Sequence, residues 1–176
     1  MAKAGKLIVF EGADGSGKTT QSKLLLTYLK SKKIPHAYLS FPRYEDSMWA
    51  QMVKRYLFGE FGKINQVDPY FASMLYAGDR LSARKEIKKW LSEGKVVVLN
   101  RYVPSNLAHM SAKLTSTGEK AKYKEWLENL EYGENRIPKE DLVVFLYVPA
   151  SVTKKLMEKR NLDIHETNLK YQEEVL

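Results

Sequence analysis

Leu7-Ile8-Val9-Phe10-Glu11-Gly12-Ala13-Asp14-Gly15-Ser16-Gly17-Lys18-Thr19-Thr20 decides the fold. Leu7 to Phe10 is a short apolar run of the kind a buried strand needs. Gly12 to Thr19 satisfies G-x-x-x-x-G-K-[ST] at every position, and Leu24, Leu25, Leu26 and Leu29 follow as the apolar residues of a helix. A glycine-rich turn between strand and helix lets backbone N–H groups close around a phosphate, where the helix N-terminus adds its positive dipole. In this context Lys18 is expected to bridge the β- and γ-phosphates of ATP, and the Thr19 hydroxyl to ligate Mg²⁺. The expected ATP contacts are Gly12, Ala13, Asp14, Gly15, Ser16, Gly17, Lys18, Thr19 and Thr20.

Outward from that motif, short apolar runs alternate with amphipathic stretches. After Ile34-Pro35, Ala37 to Phe41 reads as a second strand. Met48, Met52, Val53 and Tyr56 recur at helical spacing up to Gly59. Asp68-Pro69 is a helix start, an acid at the N-cap followed by proline at the first helical position, and that helix is expected to run to Leu91 before Gly94. Lys95 to Leu99 predicts a third strand, Glu119 to Leu130 a helix, and Leu142 to Val148 a fourth strand, apolar enough to be buried on both faces. Helical segments are expected from Ser151 to Lys159 and from Thr167 onward. Strands alternating with helices imply βαβ units, hence one α/β domain over residues 1–176 with a parallel sheet between helical layers.

Composition narrows the class. The 176 residues suit one domain, and 44% hydrophobic with 28% charged residues is the profile of a globular protein. The chain has no cysteine, so disulfides and thiolate metal sites are excluded. The apolar run Leu7 to Phe10 is too short for a signal peptide or a membrane span, and the chain reads as cytoplasmic with no membrane partner. The net charge of +8 invites a nucleic-acid reading, but Lys30, Lys32, Lys33, Lys85, Lys88, Lys89, Lys120, Lys122 and Lys124 are scattered as on solvated helix faces. No nucleic-acid partner is expected.

A phosphate loop specifies the donor and leaves the acceptor open. Phe41-Pro42-Arg43 ends the second expected strand and Asn100-Arg101-Tyr102 the third, at the sheet edge where open α/β folds bind ligands. Arg43 and Arg101 suit an acceptor that already carries negative charge. Tyr76 and Arg80 stand four apart, on one helical face. Together they offer what a pyrimidine requires, a stacking plane and a donor to a carbonyl oxygen; alternatively, Tyr76 is core and Arg80 a solvent-exposed cap.

With these residues in view, the chain resembles the thymidylate kinases. The resemblance rests on Phe10 to Thr20, Phe41-Pro42-Arg43-Tyr44, Tyr76-Ala77-Gly78-Asp79-Arg80, Arg101-Tyr102-Val103-Pro104-Ser105-Asn106 and Pro138-Lys139-Glu140-Asp141-Leu142, and covers Leu7 to about Glu174. It implies a three-layer P-loop kinase fold with a short lid and transfer of the γ-phosphoryl group of Mg-ATP to dTMP in a homodimer. Lys18, Asp14, Arg43, Arg101 and Arg160 would be the catalytic set. By the resemblance, Asp14 contacts the sugar 3′-hydroxyl and helps organise Mg²⁺ with Thr19, and Arg43 and Arg101 hold the acceptor phosphate. Tyr76 stacks on thymine, Arg80 donates to its O4, Asn106 reads the base, and Phe41, Tyr44 and His109 complete the dTMP pocket. Residues 159–166 resemble the lid. Gly15 stands where some members carry an arginine, which points to Arg160, with Lys159, as the lid's basic group; a cationic helix C-terminus is the alternative use of that pair.

The chain departs from the family pattern at three places. Asn100 stands where the family has aspartate, and His109 where related members have a tyrosine that crowds the ribose 2′ position. Members also continue past the position of Leu176 through a strand, an adenine-contacting loop and a helix, so the adenine pocket is unassigned. Two rival readings stay open. A deoxynucleoside kinase would place a carboxylate base after the second strand, where Glu45 and Asp46 follow Arg43. A P-loop ATPase acting on nucleic acid would leave Tyr76, Arg80 and the lid without a task.

Overall fold

Side-chain alternation in one central strand sets the layers. In β1 (Lys6–Gly12), Leu7 and Val9 join the core on one face of the sheet, while Ile8 and Phe10 join the core on the other. The computed structural model describes residues 4–63, 66–149 and 152. Among these, β2 (His36–Ser40), β3 (Val96–Asn100) and β4 (Leu142–Leu146) complete a parallel sheet of order β2-β3-β1-β4. β1 is thus central, with Phe10 in register with Asn100 on one side and Ile8 with Leu142 on the other.

Helix α1 (Lys18–Ser31) covers one face, bringing Leu29 against Phe10 and Val98. The other face is covered by α2 (Met48–Leu57), α3 (Pro69–Ser92), α4 (Val103–Ser111) and α5 (Thr117–Glu128), whose Val53, Leu75, Ile87, Met110 and Leu127 pack with Leu7, Val9, Val97 and Leu99. Each such fully buried aliphatic side chain contributes roughly 1.5–3 kcal/mol.

Local signals account for the helix starts. Ser47 caps α2 by accepting from the Ala50 N–H, and Asp68 caps α3 by accepting from Phe71, with Pro69 at N1. Ser116 and Glu119 form a capping box on α5. After α5 the chain continues as a π-helical turn, Asn129–Glu134, where an uninterrupted helix to Leu130 is expected from the pattern. Gly78 lets α2 lie against α3: a Cβ there would fall 2.3 Å from the Trp49 ring.

The expected strand Leu142 to Val148 ends at Leu146 and is not buried on both faces among the described residues. β4 pairs only with β1 there, and Leu142 and Phe145 are about half exposed. A helix that the pattern does not announce, α4, follows β3 directly. The expected lid at 159–166, with Arg160, and the segments Ser151 to Lys159 and Thr167 onward lie outside the described residues, Val152 alone excepted.

Candidate active site

Because β1 and β3 are neighbours in parallel, their carboxyl ends meet, and the loops that leave them form the site. From β1 comes the loop Gly12–Gly17. Gly12 has φ +143° and Gly17 φ +91°, and a Cβ on Gly12 would fall 2.5 Å from the Leu146 carbonyl oxygen, so the loop can hug β4 only with glycine there. Lys18 opens α1, and its ammonium donates to the carbonyls of Gly12 (2.8 Å) and Ala13 (2.7 Å) with Asp14 at 4.0 Å. From β3 comes Arg101, at φ +67°, a left-handed conformation that costs a non-glycine residue about 1–3 kcal/mol. Its N–H donates to the Phe10 carbonyl, and its guanidinium donates to the Asp14 carboxylate, to Ser105 Oγ (3.0 Å) and to His109 Nε2 (3.3 Å). Burial alone would pull the Arg101 pKa down, but Asp14 and then Glu11 hold it above the ordinary arginine value.

Two adjoining cavities open here. One is lined by Asp14, Gly15, Gly17, Lys18, Thr19 and Thr20, with Asn100 and Ser40 at the strand ends. The other is lined by Tyr76, Arg80, Tyr102, Ser105, Asn106 and His109. Both share one wall: Asp14, Phe41, Pro42, Tyr44 and Arg101. The Phe41-Pro42 peptide bond in that wall is cis.

Within the second cavity the polar groups are sorted. Asn106 donates from Nδ2 to the Ser73 carbonyl (3.4 Å), while its Oδ1, in a residue 4% exposed, has no hydrogen-bond partner among the described residues. Arg80 lines the same cavity and contributes only donors. In the first cavity, Asn100 Nδ2 donates to Thr19 Oγ1 (3.1 Å), and the buried Asn100 Oδ1 is likewise unmatched. That oxygen, beside the threonine hydroxyl, can accept from a metal-bound water, so the residues present fit an Mg²⁺ ion held by Thr19 and Asp14 without an aspartate at position 100. Ser16, Gly12 and Ala13 belong to the loop, with the Ser16 hydroxyl buried inside it.

Arg43 sits elsewhere. It lines neither cavity; its side chain is 9% exposed and donates from Nε to Asp79 Oδ1 (3.0 Å) and from Nη2 to the Asp79 carbonyl (3.2 Å). In this arrangement the guanidinium faces Asp79 on α3. Glu45 pairs with Lys54 (2.6 Å) and Asp46 is exposed, and neither lines a cavity.

Three buried acids or acid partners escape a reading of the sequence. Glu11, 3% exposed, accepts from the Tyr102 and Ser105 N–H groups (2.8 and 3.2 Å) and from Ser105 Oγ, so it caps α4 from a distant strand. Glu131 accepts from Arg80, and Asp79 from Arg43. Glu11 and Asp79 stand inside the stretches Phe10 to Thr20 and Tyr76 to Arg80, though their partners cannot be read from them; Glu131 carried no signal.

The family model "Thymidylate kinase" matches residues 10–176. A thymidylate kinase of Plasmodium falciparum is 37% identical over 147 residues, which are 84% of this chain and 63% of the relative. One of Mycobacterium tuberculosis is 34% identical over 83% of this chain and 67% of its own length. The chain thus spans somewhat under two thirds of the Plasmodium protein. The solved structure of a thymidylate kinase from Candida albicans superposes with a TM-score of 0.79 at 24% identity, over 98% of this chain and 75% of that one, which bears on the fold alone. On its matched length and on its identity to these relatives, this chain belongs to the thymidylate kinase family.

Proposed function

We propose that this chain transfers the γ-phosphoryl group of ATP to dTMP, giving dTDP and ADP. The observation that carries the reading is the shared wall: a phosphate-loop cavity and a cavity with an aromatic plane, a donor and a buried acceptor meet at Asp14 and Arg101. A donor and an acceptor lining one cavity suit the O4 and N3–H edge of thymine, with Tyr76 offering the stacking face.

The acceptor's attacking oxygen belongs to a phosphate monoester with a second pKa of about 6, so it is already ionised near neutrality and no general base is needed. The chain's task is to align two mutually repelling anions. Lys18 would exchange its two loop carbonyls for β- and γ-phosphate oxygens. Arg101, oriented by Asp14 and Ser105, would sit between donor and acceptor phosphates, and Arg43 would support the wall through Phe41, whose ring lies 5.9 Å from its guanidinium. Mg²⁺, held through Thr19 and Asp14, would supply charge neutralisation on the phosphates. Arg160 and the 159–166 lid would close over them and exclude water.

The nucleoside kinase alternative is weakened by the carboxylates. Asp14 is the only one lining either cavity among the described residues and belongs to the loop after β1, whereas Glu45 and Asp46, which follow β2, line neither. The homodimer is supported by large apolar side chains left exposed on α2, α3 and just after α2: Met48, Phe71, Met74 and Phe58. Sedimentation at micromolar concentration tests it, and a monomer would exclude it. We retain the cytoplasmic setting as part of the proposal; no described helix is long and apolar enough to cross a membrane.

An ADP-release assay with Mg-ATP and dTMP, dUMP, AMP or thymidine tests the acceptor. Preference for dTMP is expected; release with thymidine but not dTMP would transfer the assignment to a nucleoside kinase.

A further inference from the structure

Arg80 is among the most deeply buried cations of the described residues, and the acid that holds it lies outside the cavity. Its relative exposure is 2%, and its Nε donates to Glu131 Oε1 at 2.9 Å while Nη2 donates to the same oxygen. Nη1 reaches the Tyr102 carbonyl at 3.4 Å. Glu131 is fully buried and lines neither cavity of the site.

Glu131 is delivered by the π-helical turn Asn129–Glu134, not by a regular helix. The turn is closed by the Asn135 N–H donating to Leu130 O (2.8 Å). Such wide turns insert a residue into the helical ladder and re-aim the side chains that follow. One turn farther along α3, Arg84 donates to the Asn135 carbonyl at 2.6 Å. Two arginines four apart on α3 therefore hold this segment, Arg80 at Glu131 within the turn and Arg84 at Asn135 just after it, and so fix where the Glu131 carboxylate stands.

We propose that Glu131 is a positioning residue that sets base specificity by locking the Arg80 guanidinium as a fixed, donor-only edge of the cavity that Asn106, with its buried acceptor Oδ1, also lines. The proposal rests on the dTMP reading above and deepens it. A guanidinium is planar, so anchoring Nε and Nη2 on one oxygen and Nη1 on a carbonyl leaves it no freedom to tilt away. The fixed pair, donor then acceptor, complements a ring edge with a carbonyl next to an N–H, as in thymine and uracil. It opposes cytosine, whose amino group next to a bare ring nitrogen would face donor with donor and acceptor with acceptor. Discrimination of this kind depends on leaving buried polar groups unpaired, and a mobile guanidinium would relax it by turning aside or admitting water. Burial alone would lower the Arg80 pKa, yet Glu131 holds it above the ordinary value, so the donor edge persists at every relevant pH.

Calorimetric Kd values for dTMP, dCMP and ATP, measured on the full chain as wild type, Glu131→Gln and Glu131→Asp, decide the matter. Glu131→Asp keeps the buried charge pair and so remains informative where Glu131→Gln fails to fold; circular dichroism monitors both. The wild type is expected to prefer dTMP over dCMP by about 10²-fold or more, and the variants to lose roughly 10-fold of that ratio, with ATP affinity held within about twofold. A folded variant with an unchanged dTMP:dCMP ratio would overturn the positioning role, even where its stability falls. A ratio and an ATP affinity that decline together would overturn it too, as a general loss of structure. A wild type without preference for dTMP would instead defeat the acceptor reading, and this proposal with it.

Discussion

The carboxylate of Asp14, in the loop after β1, accepts a hydrogen bond from the guanidinium of Arg101, which closes β3 in a left-handed conformation. This pair joins the phosphate-loop cavity to its neighbour, since both residues line both. The chain tolerates a strained backbone at Arg101 because the Phe10 carbonyl, Asp14, Ser105 and His109 all receive its donors.

Arg101→Lys keeps the charge and loses the planar fork. It is expected to lower kcat/KM for phosphoryl transfer by roughly 10²-fold, the scale of removing one preorganised donor from developing charge. Steady-state kinetics with thermal melts check this. A decrease under threefold would mean that Arg101 serves the fold rather than the chemistry.

Arg43 is tied to Asp79, whose side chain is 1% exposed. Arg43→Ala leaves that carboxylate buried and uncompensated, so a stability loss of about 3–5 kcal/mol is expected. The double variant Arg43→Ala/Asp79→Ala should recover part of it. Urea unfolding reads both; a loss below about 0.5 kcal/mol would contradict the pairing.

Tyr76 stands on the cavity wall with its ring edge-on to Tyr56 at 6.2 Å. Tyr76→Ala is expected to weaken dTMP binding by about 1–3 kcal/mol, the worth of one base–aromatic stack, and Tyr76→Phe to keep it. An unchanged Kd for Tyr76→Ala would return Tyr76 to the core.

Lys113 is half-buried just after α4, where it donates to the Tyr56 hydroxyl (2.7 Å) and the Val67 carbonyl (3.4 Å). Burial brings its pKa down to about 8, against a smaller upward pull from Asp68. Below that pH the lysine is charged in both states and the fold bears the full desolvation cost. Between about 8 and the unfolded value near 10.4 the unfolded chain binds the extra proton, so this contribution to stability rises with pH. The Tm of wild type minus that of Lys113→Met should therefore increase from pH 7 to 10.5. A flat difference would contradict the burial.

Much of this was legible in order along the chain. The glycine spacing of the phosphate loop dictates strand, turn and helix together, and Asp68-Pro69 fixes the start of α3 because its cap is local. Helix α4 was not legible, because Tyr102 has no side-chain cap and Glu11, in β1, supplies one from far away in sequence. Likewise the expected helix to Leu130 gives way to a π turn that no local pattern marks, since its reason is tertiary: Glu131 meets Arg80 and Asn135 meets Arg84. Nor can sequence spacing show that Asp79, on α3, faces Arg43 just after β2.

The most direct test follows the phosphorus itself. The chain is incubated with Mg-[γ-³²P]ATP, with and without dTMP, and the products are separated. Label is expected in the β-phosphate of dTDP, with little inorganic phosphate. Label released as inorganic phosphate at the same rate in both samples would contradict it, since the two cavities would then share a wall without sharing a reaction.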